Sequence, residues 1–132
     1  MTLLFRTRVC WILVTASMAL GSAQAQDRTT YMRLAKITVD SARLADYLVA
    51  LKTQMQAALN LEKGVLGYSA VQDKNHPHRL TLLETYASRA DYEAHIQTEH
   101  FKRYKAAVAD MVTHLELTDV IPIAIQLKQS SK

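Results

Sequence analysis

Residues 65–86 read VLGYSAVQDKNHPHRLTLLETY, two apolar stretches around a short polar one. Val65–Gln72 and Arg79–Tyr86 carry the β-branched, aromatic and alternating residues of strands. Between them Asp73–His78 is polar, and Pro77 keeps it out of regular structure. The order of the remaining elements can be read outward from this pair.

Upstream, Glu62-Lys63-Gly64 closes a helix, with Gly64 suited to the left-handed position after the last turn. Leu44, Leu48, Leu51, Met55 and Leu59 recur every three or four residues, which sets them on one helix face. Asp40-Ser41 offers the N-cap of that helix. Before it, Tyr31–Val39 (YMRLAKITV) reads as a strand.

Downstream, Ser88 caps a second helix, and Asp91 three residues on completes a pattern like a capping box. Arg89–Val112 is helical in character, with a break near Thr98. Leu115–Leu127 (LELTDVIPIAIQL) is the last strand, and Pro122 within it predicts an edge position or a bulge. The predicted order is β-α-β-β-α-β, a ferredoxin-like α+β fold with an antiparallel sheet and both helices on one face.

The other face of that sheet is also apolar. Leu80, Leu82, Glu84 and Tyr86 share one side of their strand, and Thr81, Leu83 and Thr85 the other. In the preceding strand Leu66, Tyr68 and Ala70 oppose Val65, Ser69 and Val71. A sheet face open to water shows cleaner alternation. A second copy of the same sheet is the simplest cover, so the pattern predicts a homodimer.

The first 25 residues read as a secretory signal peptide: Arg6 and Arg8, an apolar run from Val9 to Leu20, then Gly21–Ala25 with a small-x-small ending. The run is shorter than the roughly 20 residues a membrane span needs. No stable anchor is therefore expected after cleavage, and the predicted destination is the periplasm or full secretion. The domain would be residues 26–132, with Gln26–Thr30 a frayed start. The single Cys (Cys10) and single Trp (Trp11) leave with the leader, so no disulfide holds the domain. Two of the 16 basic residues leave as well, which nearly balances the 12 acidic ones. No basic run interleaved with aromatics is present, so nucleic acid is not an expected partner.

Two stretches carry a family resemblance. One is Glu62-Lys63-Gly64-Val65-Leu66-Gly67-Tyr68, a Glu-x-Gly-x-x-x-Tyr hinge. The other is Leu83–Tyr104, LETYASRADYEAHIQTEHFKRY, with Glu-x-aromatic, then Ala-His, then Thr-x-His-aromatic-x-x-Tyr. The chain resembles the antibiotic-biosynthesis monooxygenase family, and within it most nearly the quinol monooxygenases. The resemblance implies a dimeric α+β barrel with a pocket between helices and sheet. It also implies oxidation of quinol-like or polycyclic phenols by O2 without metal, flavin or haem. The protein's part is to hold the phenol, take its proton and exclude water.

His95 is the first candidate base, because an imidazole titrates near neutral pH. Tyr92 and Glu99 lie three residues before and four after it, within reach on a helix, and Glu99 could orient the ring. The alternative is a satisfied, half-buried helix residue. His100 is the second candidate; it could instead cap the turn before it. Glu84, on an apolar strand face, is a base or one half of a buried pair with Arg or Tyr. Tyr86 stands where many family members have Trp and would line the pocket. Tyr68, Tyr92 and Tyr104 are candidate substrate contacts, with plain core packing as the alternative for Tyr68 and Tyr104. His76-Pro77-His78 gives two imidazoles in a loop, too few ligands for a closed metal site. Two other readings compete with the oxygenase: a non-catalytic binder of small hydrophobic molecules, and a haem-binding relative. Against haem, the predicted domain lacks Trp, and its Asn residues are confined to Asn60 and Asn75.

Overall fold

The computed structural model describes residues 30–126. The predicted signal peptide, the residues just after it and the predicted end of the last strand at Leu127 lie outside that range. Four strands and three helices follow in order: β1 (Tyr31–Val39), α1 (Leu44–Leu61), β2 (Val65–Gln72), β3 (Arg79–Tyr86), α2 (Arg89–His95), α3 (Glu99–Val108) and β4 (Val112–Val120). The sheet order is β2-β3-β1-β4, and every pair is antiparallel. This is the ferredoxin-like α+β arrangement expected from the sequence. Among the described residues no helix is long and apolar enough to cross a membrane.

The Asp40 carboxylate accepts from the Ala42 amide at 2.9 Å and starts a short 3-10 turn that leads into α1. The buried line of α1 is Tyr47, Leu51, Gln54 and Ala58. It is turned from the Leu44–Leu59 stripe expected from spacing and shares only Leu51 with it. Leu44, Leu48 and Met55 flank the core, and Leu59 is exposed. The reason is shape: Tyr47 spans the layer to Tyr104 of α3, and Ala58 lets α1 lie close to the sheet.

Gly64 does not adopt a left-handed backbone. The helix ends instead at an extended Glu62, whose amide still donates to the Ala58 carbonyl at 3.0 Å. A glycine is required at 64 for space: a Cβ there would lie 2.2 Å from Asp91 Oδ1.

A bulge at the start of β2 pairs Val65 with Tyr86 and Gly67 with Thr85, which leaves Leu66 out of register. Val65 and Tyr68 therefore share the helix-facing side, and Leu66 is exposed. This corrects the strict alternation read from the sequence, because a bulge resets the period of two.

The second helical stretch does break, at Ile96–Thr98, and it ends at Val108 rather than Val112. Thr98 caps α3, accepting from the Phe101 amide at 3.3 Å while donating to the His95 carbonyl at 2.8 Å. Ser88 caps α2, accepting from the Asp91 amide at 3.2 Å. Its hydroxyl in turn donates to Asp91 Oδ2 at 2.6 Å, so Asp takes the hydroxyl where a longer Glu would reach the backbone. β4 begins three residues earlier than expected and ends before Pro122, which has no amide hydrogen to continue the ladder. β4 is an edge strand, as the proline predicted.

Two apolar clusters fill the helix-facing side. The larger joins Ala35, Ile37 and Val39 of β1 to Tyr47, Leu51, Leu80, Leu82, Val108 and Met111. The smaller is Ala58, Val65 and Tyr86, packed against Tyr31, Tyr68 and Tyr92. This aromatic cluster closes one end of the domain, and the candidate site lies beside it.

Candidate active site

His95 sits at the last residue of α2, where the break turns the chain and pushes the ring inward. It is 1% exposed, and both ring nitrogens are engaged. Nδ1 lies 2.8 Å from Glu62 Oε1, and Nε2 lies 3.0 Å from the Tyr68 hydroxyl. The carboxylate accepts the Nδ1 hydrogen, so the neutral ring presents Nε2 as the acceptor. The Phe101 ring packs edge-on against the imidazole at 4.8 Å.

Glu62 is the residue that sequence reasoning missed. In the sequence it belongs to the helix end, and Glu99 is the expected partner of His95. Glu99 is exposed in the first turn of α3, because the break carries it away from α2. The extended backbone after α1 brings Glu62 under both histidines. Its place in the Glu-x-Gly hinge was the available signal.

His100 is held by Gln54, with Nδ1 3.0 Å from Oε1, and does not cap the preceding turn. Its Nε2 approaches Glu62 Oε1 at 3.0 Å, yet the N–H is not aimed at that oxygen. The contact is electrostatic when the ring is charged and is not a hydrogen bond. Among the described residues Gln54 Nε2 is also buried without a partner. Unpaired buried donors cost about 1–3 kcal/mol each and so tend to mark places where a ligand or water binds.

Glu84, Tyr86 and Tyr68 continue the polar line. Tyr86 donates to Glu84 Oε2 at 3.0 Å, and the Tyr86 and Tyr68 hydroxyls lie 3.0 Å apart. Burial pushes the Glu84 carboxyl above its ordinary range, partly offset by the Tyr86 hydrogen bond and by Arg33. Burial, then the charges of Glu84 and Glu62 among other influences, holds Tyr68 firmly protonated. Burial does the same for Tyr86 and Tyr104. The three phenols therefore carry hydrogen at every ordinary pH. Tyr104 donates to or accepts from Tyr47 at 2.9 Å and belongs partly to the core.

Tyr92 does not meet His95. Its hydroxyl meets Arg33, and the guanidinium also lies 4.3 Å from its ring centre. Arg33 in turn binds Asp119 at 2.7 Å. The Tyr31 hydrogen bond and Arg33 hold the Asp119 carboxyl below its usual range.

These groups surround a cavity of about 90 Å³ between the helices and the sheet. Arg33, Gln54, Tyr68, Glu84, His95 and Tyr104 supply its polar wall, and Ile37, Leu51, Met55, Leu82, Ile96 and Phe101 much of its apolar one. Its rim includes Leu115 and Leu117 of β4, both substantially exposed. Of the site residues expected from sequence, Tyr68, Glu84, Tyr92, His95 and Tyr104 line the cavity. Tyr86 and His100 stand behind them. A larger surface groove of about 1,010 Å³ runs past Met32, Leu66, Ser88 and Pro122. It contains none of the histidines, so the candidate site residues belong to the smaller cavity. His76 and His78 are remote in the β2–β3 loop, and among the described residues no group of three His, Cys, Asp or Glu is arranged to hold a metal ion.

Glu84 gives a test of this electrostatic picture. Its folded-state pKa is raised, so the folded chain binds that proton more tightly than the unfolded chain. Stability is then lost as pH rises through the folded value. Glu84→Gln removes the charged form. The variant is expected to melt above the wild type at pH 8, and the gap should close below about pH 4, where an unfolded Glu is itself protonated. A constant gap across that range in thermal melts would contradict the assignment.

The fold and site define a small α+β pocket protein with a buried cluster of His, Glu and Tyr side chains at one end of an apolar cavity. Residues 30–107 match the family model described as antibiotic biosynthesis monooxygenase, and the chain belongs to that family. No match was found among curated proteins. A solved structure from Bacteroides thetaiotaomicron, provisionally named an antibiotic biosynthesis monooxygenase, is 42% identical. The alignment covers 77% of this chain and 97% of that one, with a TM-score of 0.73. A similarly named protein from Nitrosomonas europaea shares the fold at 20% identity, covering 74% and 94%, with a TM-score of 0.68. A protein from Pseudomonas aeruginosa shares it at 24% identity, covering 73% and 96%, with a TM-score of 0.66.

Proposed function

We propose that this protein oxidises small quinol-like phenols with O2, using no bound cofactor, as a homodimer in the periplasm. The observation that carries the reading is His95, fixed between the Glu62 carboxylate and the Tyr68 hydroxyl at the polar end of an apolar cavity. A phenol that loses its proton becomes electron-rich enough to reduce O2. For a hydroquinone, one oxygen atom enters the ring and the other leaves as water, giving a hydroxyquinone.

Both His95 nitrogens are occupied, so the substrate proton reaches the base through Tyr68. The substrate hydroxyl docks at the Tyr68 oxygen, and Tyr68 passes its own hydrogen to His95 Nε2. Glu62 stabilises the imidazolium that forms. Gln54, with its unpaired Nε2, is placed to donate to a substrate oxygen.

Cavity size favours one ring over several. Ligand pockets usually enclose roughly 300–1,000 Å³, and a dry cavity of about 150 Å³ holds benzene. At about 90 Å³, the chamber suits O2 and one edge of a single ring, with the remainder at the Leu115–Leu117 rim. Polycyclic phenols and haem both exceed it. The open sheet face, with Leu34 and Leu83 opposite one another among threonines, supports a second copy as its cover.

An oxygen electrode decides the main reading. Metal-free protein supplied with single-ring hydroquinones is expected to consume O2 and accumulate hydroxyquinone. No uptake across a broad panel, combined with ligand-induced stabilisation, would leave the protein a binder of small hydrophobic molecules.

A further inference from the structure

The line Glu84–Tyr86–Tyr68–His95 contains three contacts of 3.0 Å each. Each contact needs one hydrogen, and the two phenols supply two. The Nδ1 hydrogen of His95 is committed to Glu62 at 2.8 Å. With Glu84 ionised and His95 neutral, one contact therefore has two electronegative atoms facing each other with no hydrogen between them. A third hydrogen has two sources. On Glu84, the bonds run from Glu84 to Tyr86, to Tyr68, to His95 Nε2. On His95, they run the other way. The two forms differ only in which side of each bond its hydrogen lies.

We infer that Glu84 and His95 hold one proton in common through Tyr86 and Tyr68, and that the form lacking it is the acceptor for the substrate's proton. The source of that proton rests on the oxygenase reading; the sharing does not. Tyr68 is the point of entry, since it lines the cavity and touches both branches. When the substrate O–H bond breaks, its electron pair stays on the phenolate oxygen. The proton joins the Tyr68 oxygen, and Tyr68 releases its own hydrogen to His95 Nε2, or through Tyr86 to Glu84. Nothing is oxidised in this step. Filling the vacant contact adds a hydrogen bond, which makes the line a stronger acceptor than either end alone.

The surroundings do not assign the proton to one end. Glu84 faces Arg33 from β1, Tyr68 from β2 and Tyr86 on its own strand, and its charge reaches Tyr47 of α1 and Tyr104 of α3. His95 faces Glu62 at the end of α1, Tyr68, Tyr86, and His100 and Phe101 of α3. Each end has an opposite charge nearby: Arg33 for Glu84 and Glu62 for His95. Burial of Glu84 favours its protonated form and so keeps that end competitive.

Nitrogen NMR of the His95 ring in the ligand-free protein tests the sharing. Glu84→Gln can offer Tyr86 an N–H without taking up a proton, and it removes the carboxylate that draws the line the other way, so it favours the direction toward Nε2. The ratio of charged to neutral His95 at a fixed, mildly acidic pH is expected to fall about tenfold, equivalent to one pH unit of coupling. In a Tyr86→Phe background the line is cut, and the same substitution should change the ratio less than about twofold, the cycle isolating the coupling. An equal fall in both backgrounds would show simple loss of charge attraction through space and overturn the proposal. Tyr68→Phe cuts the line at its other oxygen and gives the same two outcomes if Tyr86→Phe does not fold. Oxygen uptake is scored separately. Intact coupling without uptake removes the oxygenase reading alone, and normal uptake without coupling removes the shared proton alone.

Discussion

His95→Ala is expected to lower kcat for quinol oxidation by about a hundred- to ten-thousand-fold, the usual contribution of a positioned general base. The loss should fall on kcat and leave KM nearly unchanged, because the ring presents almost no surface to the cavity. Tyr68 and the apolar wall would still hold the substrate. Glu62→Gln tests the same step from below. It keeps the size of the side chain but cannot stabilise an imidazolium to the same extent, so kcat should fall again, and by less. A melting curve for each variant separates chemistry from collapse. Wild-type turnover by His95→Ala would show that the base lies elsewhere, with Glu84 the next candidate, since it lines the same cavity.

The second large effect concerns stability. Gly64→Ala would place a Cβ 2.2 Å from Asp91 Oδ1, 2.4 Å from Cγ and 2.5 Å from Cβ. Rotating the Asp91 carboxylate does not relieve the last of these, so α2 must move away from β2. Overpacking of this kind costs about 1–3 kcal/mol. In a domain of about 60–100 residues that corresponds to a fall in Tm of roughly 4–8 °C per kcal/mol. Asp91→Gly should destabilise the wild type by removing the Ser88 partner, yet recover part of the loss in the Gly64→Ala background. Such non-additivity is the signature of direct contact. Independent effects in thermal melts would contradict the clash. The displaced helix carries His95, so Gly64→Ala should also slow turnover.

Most of the fold was legible because its signals are local. β1, β2 and β3 have the bounds that their residue types gave them, and Ser88 and Thr98 mark the two helix starts. What failed depended on contacts distant in sequence. Gly64 looked like a helix cap, but its requirement comes from Asp91, 27 positions away in a different helix. The buried face of α1 is set by how Tyr47 reaches Tyr104, which the spacing of leucines does not contain. The bulge at Leu66 exists only in relation to β3. The site shows the same division. His95, Glu84 and the tyrosines could be picked out as chemically unusual on their elements. Glu62 was marked only by its place in the Glu-x-Gly hinge, because its role arises where the end of α1 meets the end of α2. A neighbour on the same helix was the nearer guess.

The break at Ile96–Thr98 lets His95 and His100 approach one carboxylate oxygen from two helices. Ile96 and Phe101, on either side of the break, are also walls of the cavity. The vertex that joins the helices thus carries both part of the cavity wall and the candidate base. Moving that vertex far enough to admit a bulkier guest would pull the imidazole off its carboxylate and weaken its basicity. Access to the cavity and the strength of the proposed base would then be opposed through one short segment, with no separate latch.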